Sequence, residues 1–583
     1  MLQPATIFRK NVNIKYYNKE ENTLISPEIR REKNKVELKI ECDEIQTLSL
    51  DHHGLVASVC KDLGIAEKID ALISNQDKRR VVSPGQAVVA MILNGLGFTN
   101  RRLYLTSQFF ETKPVSLLLD DDELTADDLT DYTLGHTLDE IYDYGASELF
   151  AKVAFDVAIE QKLLCANNHL DTTSLTVHGE YEELREEGIE VIEITHGHSK
   201  DHRPDLKQAV LSLVVNGPSG APIFMEPLNG NNSDKVSFQE TIKKVNAFKK
   251  QINVEREFKW IADSALYTKS GLLKMNDFTW LTRVPHTIKE AKTLVMTADS
   301  EIAWEEQDHG YKIAPFTSPY GGIQQRWLLV FSQQAYNREK KTLDTNLDKK
   351  DKALKMALWH LGNEVYTCEK DGLKALKKLK KKHPLYVVKA EIVEIKKHAK
   401  AGKPKAGETK IVVGYQVVGS FERNSVEIEN VLNSKGRFIL ATNDLDSENY
   451  TDEQMLKEYK EQQKVEGGFR FLKDPWFMVD SIFLKSPKRI EALMMVMTLC
   501  LLVYNIAQYK LRELLKEKNE TLPNQLGKQV KNPTLRWIFQ IMEGVSIVRF
   551  LKNEVIANLS DLRKKIIELF GNTAMKMYGL MVT

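Results

Sequence analysis

Residues 459–473 read YKEQQKVEGGFRFLK, and this stretch decides which fold we expect. If it forms one helix, five polar residues recur at steps of 3, 4, 4 and 3 residues. That spacing places on one helical face Tyr459, Gln462, Glu466, Arg470 and Lys473. One carboxylate among a phenol, an amide and two cations indicates a metal ligand surrounded by phosphate-binding groups. An amphipathic helix with a charged solvent face is the alternative, which the helix alone leaves open.

The same helix has an apolar stripe and two interior glycines. Val465, Phe469 and Leu472 lie beside the polar face and are expected to pack the helix on a core. Gly467 and Gly468 each cost about 1 kcal/mol relative to alanine in a helix interior. Such glycines predict that another backbone or a nucleic acid comes close at this point.

Composition restricts the class of protein. The 583 residues exceed what one compact core accommodates, so several domains are expected. Because 82 Lys and Arg balance 81 Asp and Glu, a nucleic-acid surface requires local segregation of charge. The 5 scattered cysteines and the absence of an N-terminal signal pattern predict a cytoplasmic protein without disulfides. The apolar run 492–504 is too short to cross a bilayer and predicts a buried helix without membrane contact.

The first part of the chain divides into a polar arm, 1–50, and a helical domain, 51–165. In the second, Ser83-Pro84-Gly85-Gln86 predicts a capped helix start, with Val88, Met91 and Ile92 facing inward. Arg79-Arg80 and Arg101-Arg102, near helix ends, suit a DNA-binding domain, although a generic helical domain fits as well. The acidic run 120–128 is expected to face solvent.

The character of the sequence changes at His169, where short β-branched segments begin. Residues 166–285 predict three antiparallel strands, a helix, a strand, a helix and a fifth strand. This β-β-β-α-β-α-β order, completed by the later helix, is that of an RNase H-like core in a mixed α/β fold. In such a core the first and fourth strands are neighbours, so Asp171 and Asp263 are expected side by side. An aspartate in an apolar strand is costly unless it is paired or bound to metal.

The rest of the chain divides into an insertion, a return to the core and a tail. Residues 286–446 predict a β-rich insertion. It is basic, because 374–410 hold 13 lysines against 3 glutamates. Residues 447–510 carry the glutamate helix and the buried helix that follows Ser486-Pro487. Residues 511–583 are read as amphipathic helices, including LRWIFQIMEGVSIVRFL, that form either a dimer interface or a domain core.

The predicted fold brings three carboxylates together: Asp171, Asp263 and Glu466. Oxygen ligands of this kind select Mg²⁺, with Mn²⁺ as a substitute. Two such ions clamp the attacking and leaving oxygens of a phosphoryl displacement. Tyr459, Arg470 and Lys473 would then hold phosphates nearby.

At these residues the chain resembles the DDE transposases of the IS4-like superfamily, and within it the IS1634-type insertion-sequence transposases. Tyr459, Glu466 and Lys473 match the spacing of the family's third motif, and Gln462 stands where an arginine is usual. LDTTSL around Asp171 and ADSALY around Asp263 match the first two motifs. HGHSKDHRPDLKQ, residues 196–208, and WLTRVP, residues 280–285, also resemble family tracts.

The resemblance implies a cut-and-paste transposase that acts as a homodimer on DNA. Its substrates would be the terminal inverted repeats of the transposon and a target duplex. Phosphate-binding roles fall to Lys200, Arg203 and Lys207 in addition to the helix. The insertion is expected to help flip a base near the cleaved end, for which Trp304 and Trp327 are candidates, although either fits a core position as well.

Three other functions compete with this one. His196, His198 and His202 have the spacing of zinc ligands, although no nearby carboxylate or cysteine completes the set. A transposase-derived repressor without catalysis would not need the three carboxylates. Another RNase H-like nuclease would not need the long insertion or the Tyr–Glu–Lys helix.

Overall fold

A computed structural model describes most of the chain. It covers residues 16–18, 23–25, 45–73, 80–98, 105–178, 181, 191–398, 409–474, 484–550 and 553–581.

Helices predominate in the first part. The elements are β1 (Tyr16–Asn18), β2 (Thr23–Ile25), β3 (Ile45–Ser49), α1 (His53–Asp62), α2 (Ile65–Leu72), α3 (Pro84–Gly95), α4 (Thr106–Phe110), α5 (Val115–Leu119), α6 (Asp131–Tyr144) and α7 (Ala146–Glu160). The predicted start of α3 is confirmed, because Ser83 and Gln86 form a reciprocal capping box with Pro84 at the first position. The apolar face of α3 is fully buried, as predicted for Val88, Met91 and Ile92.

The next part forms the middle of the main sheet. Its elements are β4 (Asn167–Val177), β5 (Lys207–Asn216), β6 (Ala221–Leu228), α8 (Asp234–Gln251), β7 (Lys259–Ala262), α9 (Lys269–Lys274) and β8 (Thr279–Arg283). β4, β5 and β6 are the predicted antiparallel meander. β7 and β8 continue on the other side of β4 as parallel strands. The first and fourth strands of this part are therefore neighbours, as predicted.

Residues 286–446 differ from the separate β-rich insertion that we predicted. The elements are α10 (Lys289–Met296), β9 (Glu305–Gln307), β10 (Tyr311–Ser318), β11 (Gln325–Ser332), α11 (Gln333–Asn363), α12 (Glu369–Lys382), β12 (Tyr386–Lys397), β13 (Ile411–Arg423), α13 (Ser425–Asn433) and β14 (Arg437–Thr442). Four of these strands extend the main sheet, whose nine-stranded order is β6-β5-β4-β7-β8-β14-β11-β10-β9. Between β11 and β14, three helices and the β12–β13 hairpin enclose a small core of their own around Leu347, Leu354 and Tyr386.

The last part combines helices with short strands. The elements are α14 (Asp452–Lys460), α15 (Gln463–Leu472), α16 (Pro487–Glu517), β15 (Leu522–Pro523), β16 (Gln529–Val530), α17 (Leu535–Met542), β17 (Ser546–Phe550), β18 (Asn553–Ala557), α18 (Asp561–Phe570) and α19 (Asn572–Met577). The helix predicted across LRWIFQIMEGVSIVRFL is wrong in its second half. There the chain forms β17, which pairs with β3 and β18, because Gly544 adopts a φ of 86° and ends the helical segment.

One hydrophobic core joins the two ends of the chain. It includes residues of α1 to α7, the outer face of β4 and β5, and residues of α15 to α19. The regions 51–165 and 511–583 therefore share a core around α16. The C-terminal helices are at least a domain core, and dimerisation through them stays a prediction.

α16 is the centre of that core. It is 31 residues long, and so much longer than the 13-residue apolar run that the sequence emphasised. The helix is long and apolar enough to cross a membrane, since its most apolar 18 residues have a mean hydropathy of 2.0. However, 89% of this segment is buried inside the protein. Burial of this kind is typical of a core helix, because a spanning helix would expose apolar side chains to lipid.

The buried carboxyl of Glu491 on α16 gives a prediction about stability and pH. Burial raises its pKa from 4.5 to about 7, while the N–H of Ile192, which donates to it at 2.8 Å, opposes the rise. A raised pKa stabilises the fold at low pH, and this stabilisation is lost as the pH rises from 4.5 to about 7. The free energy of unfolding of the wild type, relative to Glu491→Gln, should therefore fall by about 3 kcal/mol over that range. Urea unfolding at several pH values measures it, and a difference independent of pH would contradict the assignment.

Candidate active site

Charged residues form one row where the parallel pairing of β4, β7 and β8 ends. Leu170 of β4 pairs with Ala262 of β7, and Ala262 pairs with Thr282 of β8. Each is followed by a charged residue, so the next row across the sheet is Asp171, Asp263 and Arg283. Neighbouring strands lie about 4.8 Å apart, which makes these three adjacent. The two aspartates that the sequence predicted to be neighbours therefore are.

The row faces the side of the sheet that α14 covers. Side chains alternate between the two faces of a strand, so Asp263 and Arg283 share a face with Ile261 and Leu281 two residues earlier. Ile261 and Leu281 pack with Met455 and Leu456 of α14 in one cluster, against which Tyr459 also packs. The phenol of Tyr459 thus lies over the end of the row.

Tyr459 connects the row to Glu466. Burial raises the pKa of Tyr459, and the negative charges of Asp263 and Glu466 raise it further. The positive charge of Arg283 opposes these effects on the pKa. Two of the three predicted carboxylates therefore act on one phenol. Arg283 was not predicted as a site residue, although the tract WLTRVP around it had been noted as family-like.

The predicted single helix is in fact two helices, and this prediction needs correction. α14 ends at Lys460 and α15 begins at Gln463. At the junction the N–H groups of Gln462 and Val465 donate to carbonyls three residues back, at 3.1 and 3.0 Å, which tightens the chain. The two helices pack on different cores, since Met455 belongs to the α14 face of the sheet and Val465 to the core around α16. One straight helix would not reach both.

The buried and exposed residues of α15 are those that the apolar stripe predicted. Val465, Phe469 and Leu472 are buried, whereas Glu466 and Arg470 are exposed. Gln462 is buried, and its Oε1 finds no hydrogen-bond partner among the described residues. A phosphate contact by Gln462 is therefore not supported in this arrangement.

The two glycines of α15 differ in their surroundings. A Cβ added to Gly468 would lie 3.0 Å from a methyl of Leu501, so the close approach there is that of α16. A Cβ added to Gly467 would meet no described atom within 4 Å. The predicted close approach of another element holds for Gly468, and Gly467 leaves open space.

Lys200 lies against the first carboxylate. Its Nζ donates to the carbonyl and the hydroxyl of Thr172 at 2.6 and 2.9 Å, and it is 3.8 Å from Oδ1 of Asp171. The neighbouring Asp201 pairs with Lys473 at 2.6 Å. The segment around 200–201 therefore ties β4 to the end of α15 through two ion pairs.

The remaining predicted phosphate ligands have protein partners or lie in solvent. Arg203 pairs with Asp205 at 2.8 Å, and both are exposed. Lys207 donates to the carbonyl of Tyr181 at 2.8 Å. A phosphate ligand role for these two residues and for Arg470 stays a prediction.

The tryptophans considered for base flipping and the histidines considered as zinc ligands lie in different surroundings. Trp327 is buried and donates to the hydroxyl of Tyr267 at 3.0 Å, so it belongs to the core and is not placed to flip a base. Trp304 donates to Asp299 at 3.0 Å beneath the guanidinium of Arg437. His196, His198 and His202 are exposed.

The types of side chain at this position suit a divalent cation, but their present arrangement does not form a metal site. Asp171 and Asp263 supply carboxylates from adjacent strands, which is the donor chemistry that Mg²⁺ prefers. Their Oδ1 atoms accept the N–H groups of Thr172 and Ala265 at 2.7 and 2.8 Å. Within the described ranges no three His, Cys, Asp or Glu residues are grouped closely enough to hold a metal ion. Closing a ligand set requires Glu466 to approach the two aspartates.

Of the arginines proposed to bind DNA in the helical domain, only Arg80 lies within the described residues; Arg79, Arg101 and Arg102 lie outside them. Arg80 donates through Nη1 to both carboxylate oxygens of Glu140 at 2.6 Å and through Nη2 to Thr137 at 2.7 Å. Its side chain is 12% exposed. Arg80 therefore ties the segment before α3 to α6. Its guanidinium is occupied by these contacts and is not presented to DNA.

Comparison with known proteins gives limited information. A family profile described as a domain of unknown function, DUF4277, matches residues 45–155. No curated protein matches the sequence. The cryo-EM structure of a piggyBac transposase synaptic complex with hairpin DNA is similar at 10% identity and a TM-score of 0.34, over 85% of this chain and 82% of that one. The Mos1 transposase paired-end complex is similar at 8% identity and a TM-score of 0.14, over 33% and 57% of the two chains.

The ion pair of Arg80 gives a prediction that separates structure from DNA binding. Arg80→Ala should lower the free energy of unfolding by about 1–3 kcal/mol, because Glu140 loses its charged partner. Glu140→Gln should cause part of the same loss, and the two should not add. Denaturant unfolding of the single and double variants measures this. Unchanged stability combined with weaker DNA binding would instead return Arg80 to the DNA-contacting role.

The open space at Gly467 gives a second prediction. Gly467→Ala should raise the free energy of unfolding by about 0.5–1 kcal/mol, since the helix gains propensity and no described atom obstructs the new methyl. The matched variant Gly468→Ala should gain less, because its methyl meets Leu501. Thermal unfolding of both variants checks the order. A reversed order would contradict the packing of Gly468 against Leu501 and the open space beside Gly467.

Proposed function

We propose that this chain is a DDE transposase that cuts and rejoins DNA at the ends of an insertion sequence. The observation that supports the proposal is the register of β4 and β7, in which Asp171 and Asp263 follow the paired residues Leu170 and Ala262. Carboxylates converging at strand ends are the arrangement that phosphoryl-transfer sites use to bind hard cations.

The topology supports an RNase H-like core as the framework of the site. The order β6-β5-β4-β7-β8, with β5 antiparallel and β7 and β8 parallel to β4, is the order expected from the sequence for such a core. The motifs around Asp171, Asp263 and Glu466 support the IS4-like superfamily and its IS1634 type. Gln462, in place of the usual arginine, is the departure from the third motif.

The proposed cofactor is Mg²⁺, as two ions, with Mn²⁺ as a substitute. Asp171, Asp263 and Glu466 would hold it, and it would supply an activated oxygen nucleophile and stabilise the leaving oxygen. Lys200 lies 3.8 Å from Asp171 and neutralises part of its charge in the present arrangement. Tyr459 and the lysines at 200 and 473 would hold or orient the DNA backbone around the bond to be cut.

The partners follow from the same reaction. The DNA substrates would be terminal inverted repeats and a target duplex, and pairing two ends requires a homodimer in the complex. The proposed location is the cytoplasm. A repressor that binds the repeats without cutting them is the alternative that the following experiment excludes or favours.

The test is cleavage of a plasmid carrying the DNA that flanks the coding sequence. The wild type should nick it in Mg²⁺ and in Mn²⁺, and Glu466→Gln should bind the same DNA but cleave at least about 100-fold more slowly. Lys473→Ala should slow cleavage far less, because this lysine pairs with Asp201 and ligates no metal. Gel-based cleavage and mobility-shift assays measure both properties. Near wild-type cleavage by Glu466→Gln would remove Glu466 from the site, and binding without any cleavage by the wild type would favour the repressor.

A further inference from the structure

The row at the strand ends contains one cation in addition to its two carboxylates. Arg283 is the last residue of β8 and follows Thr282, whose register partner Ala262 precedes Asp263. On its other side it pairs with Leu440 of β14. Its side chain is exposed although it stands at the end of a buried strand. The backbone of Arg283 is therefore fixed by strands on both sides, while its guanidinium reaches solvent beside the candidate active site.

One aromatic ring contacts the guanidinium, and a second ring packs against the first. The guanidinium carbon lies 5.3 Å from the ring centre of Phe438, within the range of a cation–π contact. The rings of Phe438 and Tyr459 are themselves 6.1 Å apart, so the guanidinium lies beside a pair of packed aromatics. Within the described ranges no salt bridge to a carboxylate involves Arg283, and a guanidinium has five N–H donors, so most of its donors remain for a ligand.

The charges around this position define the ligand that the site requires. DNA that approaches Asp171, Asp263 and Glu466 brings more negative charge to a group of carboxylates. A fixed cation in the same row offsets that repulsion, and the planar guanidinium matches the paired oxygens of a phosphodiester. The helix residue Gln462, which occupies the place of a cation in the sequence motif, is buried and uncharged.

We propose that Arg283 binds a DNA phosphate at or next to the bond that is cut, and so supplies from β8 the cation that Gln462 does not. The proposal rests on the proposed function and extends it to one residue. Arg283 is a binding residue, since its fork contacts the backbone of the substrate. Phe438 limits the movement of the fork through the cation–π contact.

Binding measurements test the proposal independently of cleavage. The probe is a duplex from the DNA that flanks the coding sequence, titrated at several salt concentrations. Arg283→Ala should weaken binding about tenfold or more and reduce the slope of log K against log salt by about 1. Arg283→Lys should restore the salt slope but only part of the affinity, because a lysine keeps the charge and loses the fork. Arg256→Ala, an exposed arginine before the opposite end of β7, is the matched control and should change neither quantity.

A chemical probe separates a phosphate contact from an effect on the fold. Duplexes with an uncharged methylphosphonate at one position each replace the phosphates around the cleavage point one by one. At one position the wild type should lose as much affinity as Arg283→Ala does on normal DNA, and the variant should lose nothing further. The Tm of Arg283→Ala should stay at the wild-type value, because the side chain is exposed.

Each result distinguishes this proposal from the proposed function. Wild-type cleavage together with unchanged binding and salt slope in Arg283→Ala overturns the role of Arg283 alone. Equal losses at every methylphosphonate position for wild type and variant also overturn it, since the arginine would then act without contacting a phosphate. Binding that follows the predicted pattern in a protein that never cleaves supports Arg283 and contradicts the nuclease.

Discussion

The in-register pairing of β4, β7 and β8 is the constraint on which the site depends. Leu170, Ala262 and Thr282 form one buried row, and the row after it carries the charges. A shift of β4 or β7 by one residue would turn an aspartate into the apolar core and bring a leucine or alanine to the site. The cost of burying a charge in that core far exceeds the cost of a mismatched apolar contact, so the register is strongly specified. The side chain of Asp171, only 18% exposed, tolerates its position because Lys200 and the N–H of Thr172 accompany it.

The second constraint is the break between α14 and α15. The two segments pack on different sides of the molecule, α14 on the main sheet and α15 on the core around α16. Tyr459 therefore approaches the row from above the sheet, and Glu466 stays exposed at the edge. The ion pair between Lys473 and Asp201 fixes the far end of α15 to the segment that also carries Lys200.

The sequence predicted the parts of the site that depend on local pattern. Alternating apolar strands after residue 166 and the order of elements were sufficient to place Asp171 beside Asp263, because that neighbourhood follows from topology. The capping box at Ser83 was equally local. The break in the glutamate helix was not predictable, because no proline or glycine marks it and two distant cores cause it. Arg283 was missed because its importance comes from its strand neighbours, which periodicity does not reveal. The strand at 546–550 was read as helix because its partner, residues 45–49, lies about 500 residues away in the sequence.

The central claim is that Asp171, Asp263 and Glu466 form one cation site. Its most direct test replaces Mg²⁺ by Fe²⁺ in the DNA complex, adds ascorbate and peroxide, and maps the peptide bonds cut by radicals released at the bound ion. The account predicts cuts at three separate places, close to residues 171, 263 and 466, all suppressed by excess Mg²⁺. Cuts near only one of the three, or at the histidines around 198, would contradict it.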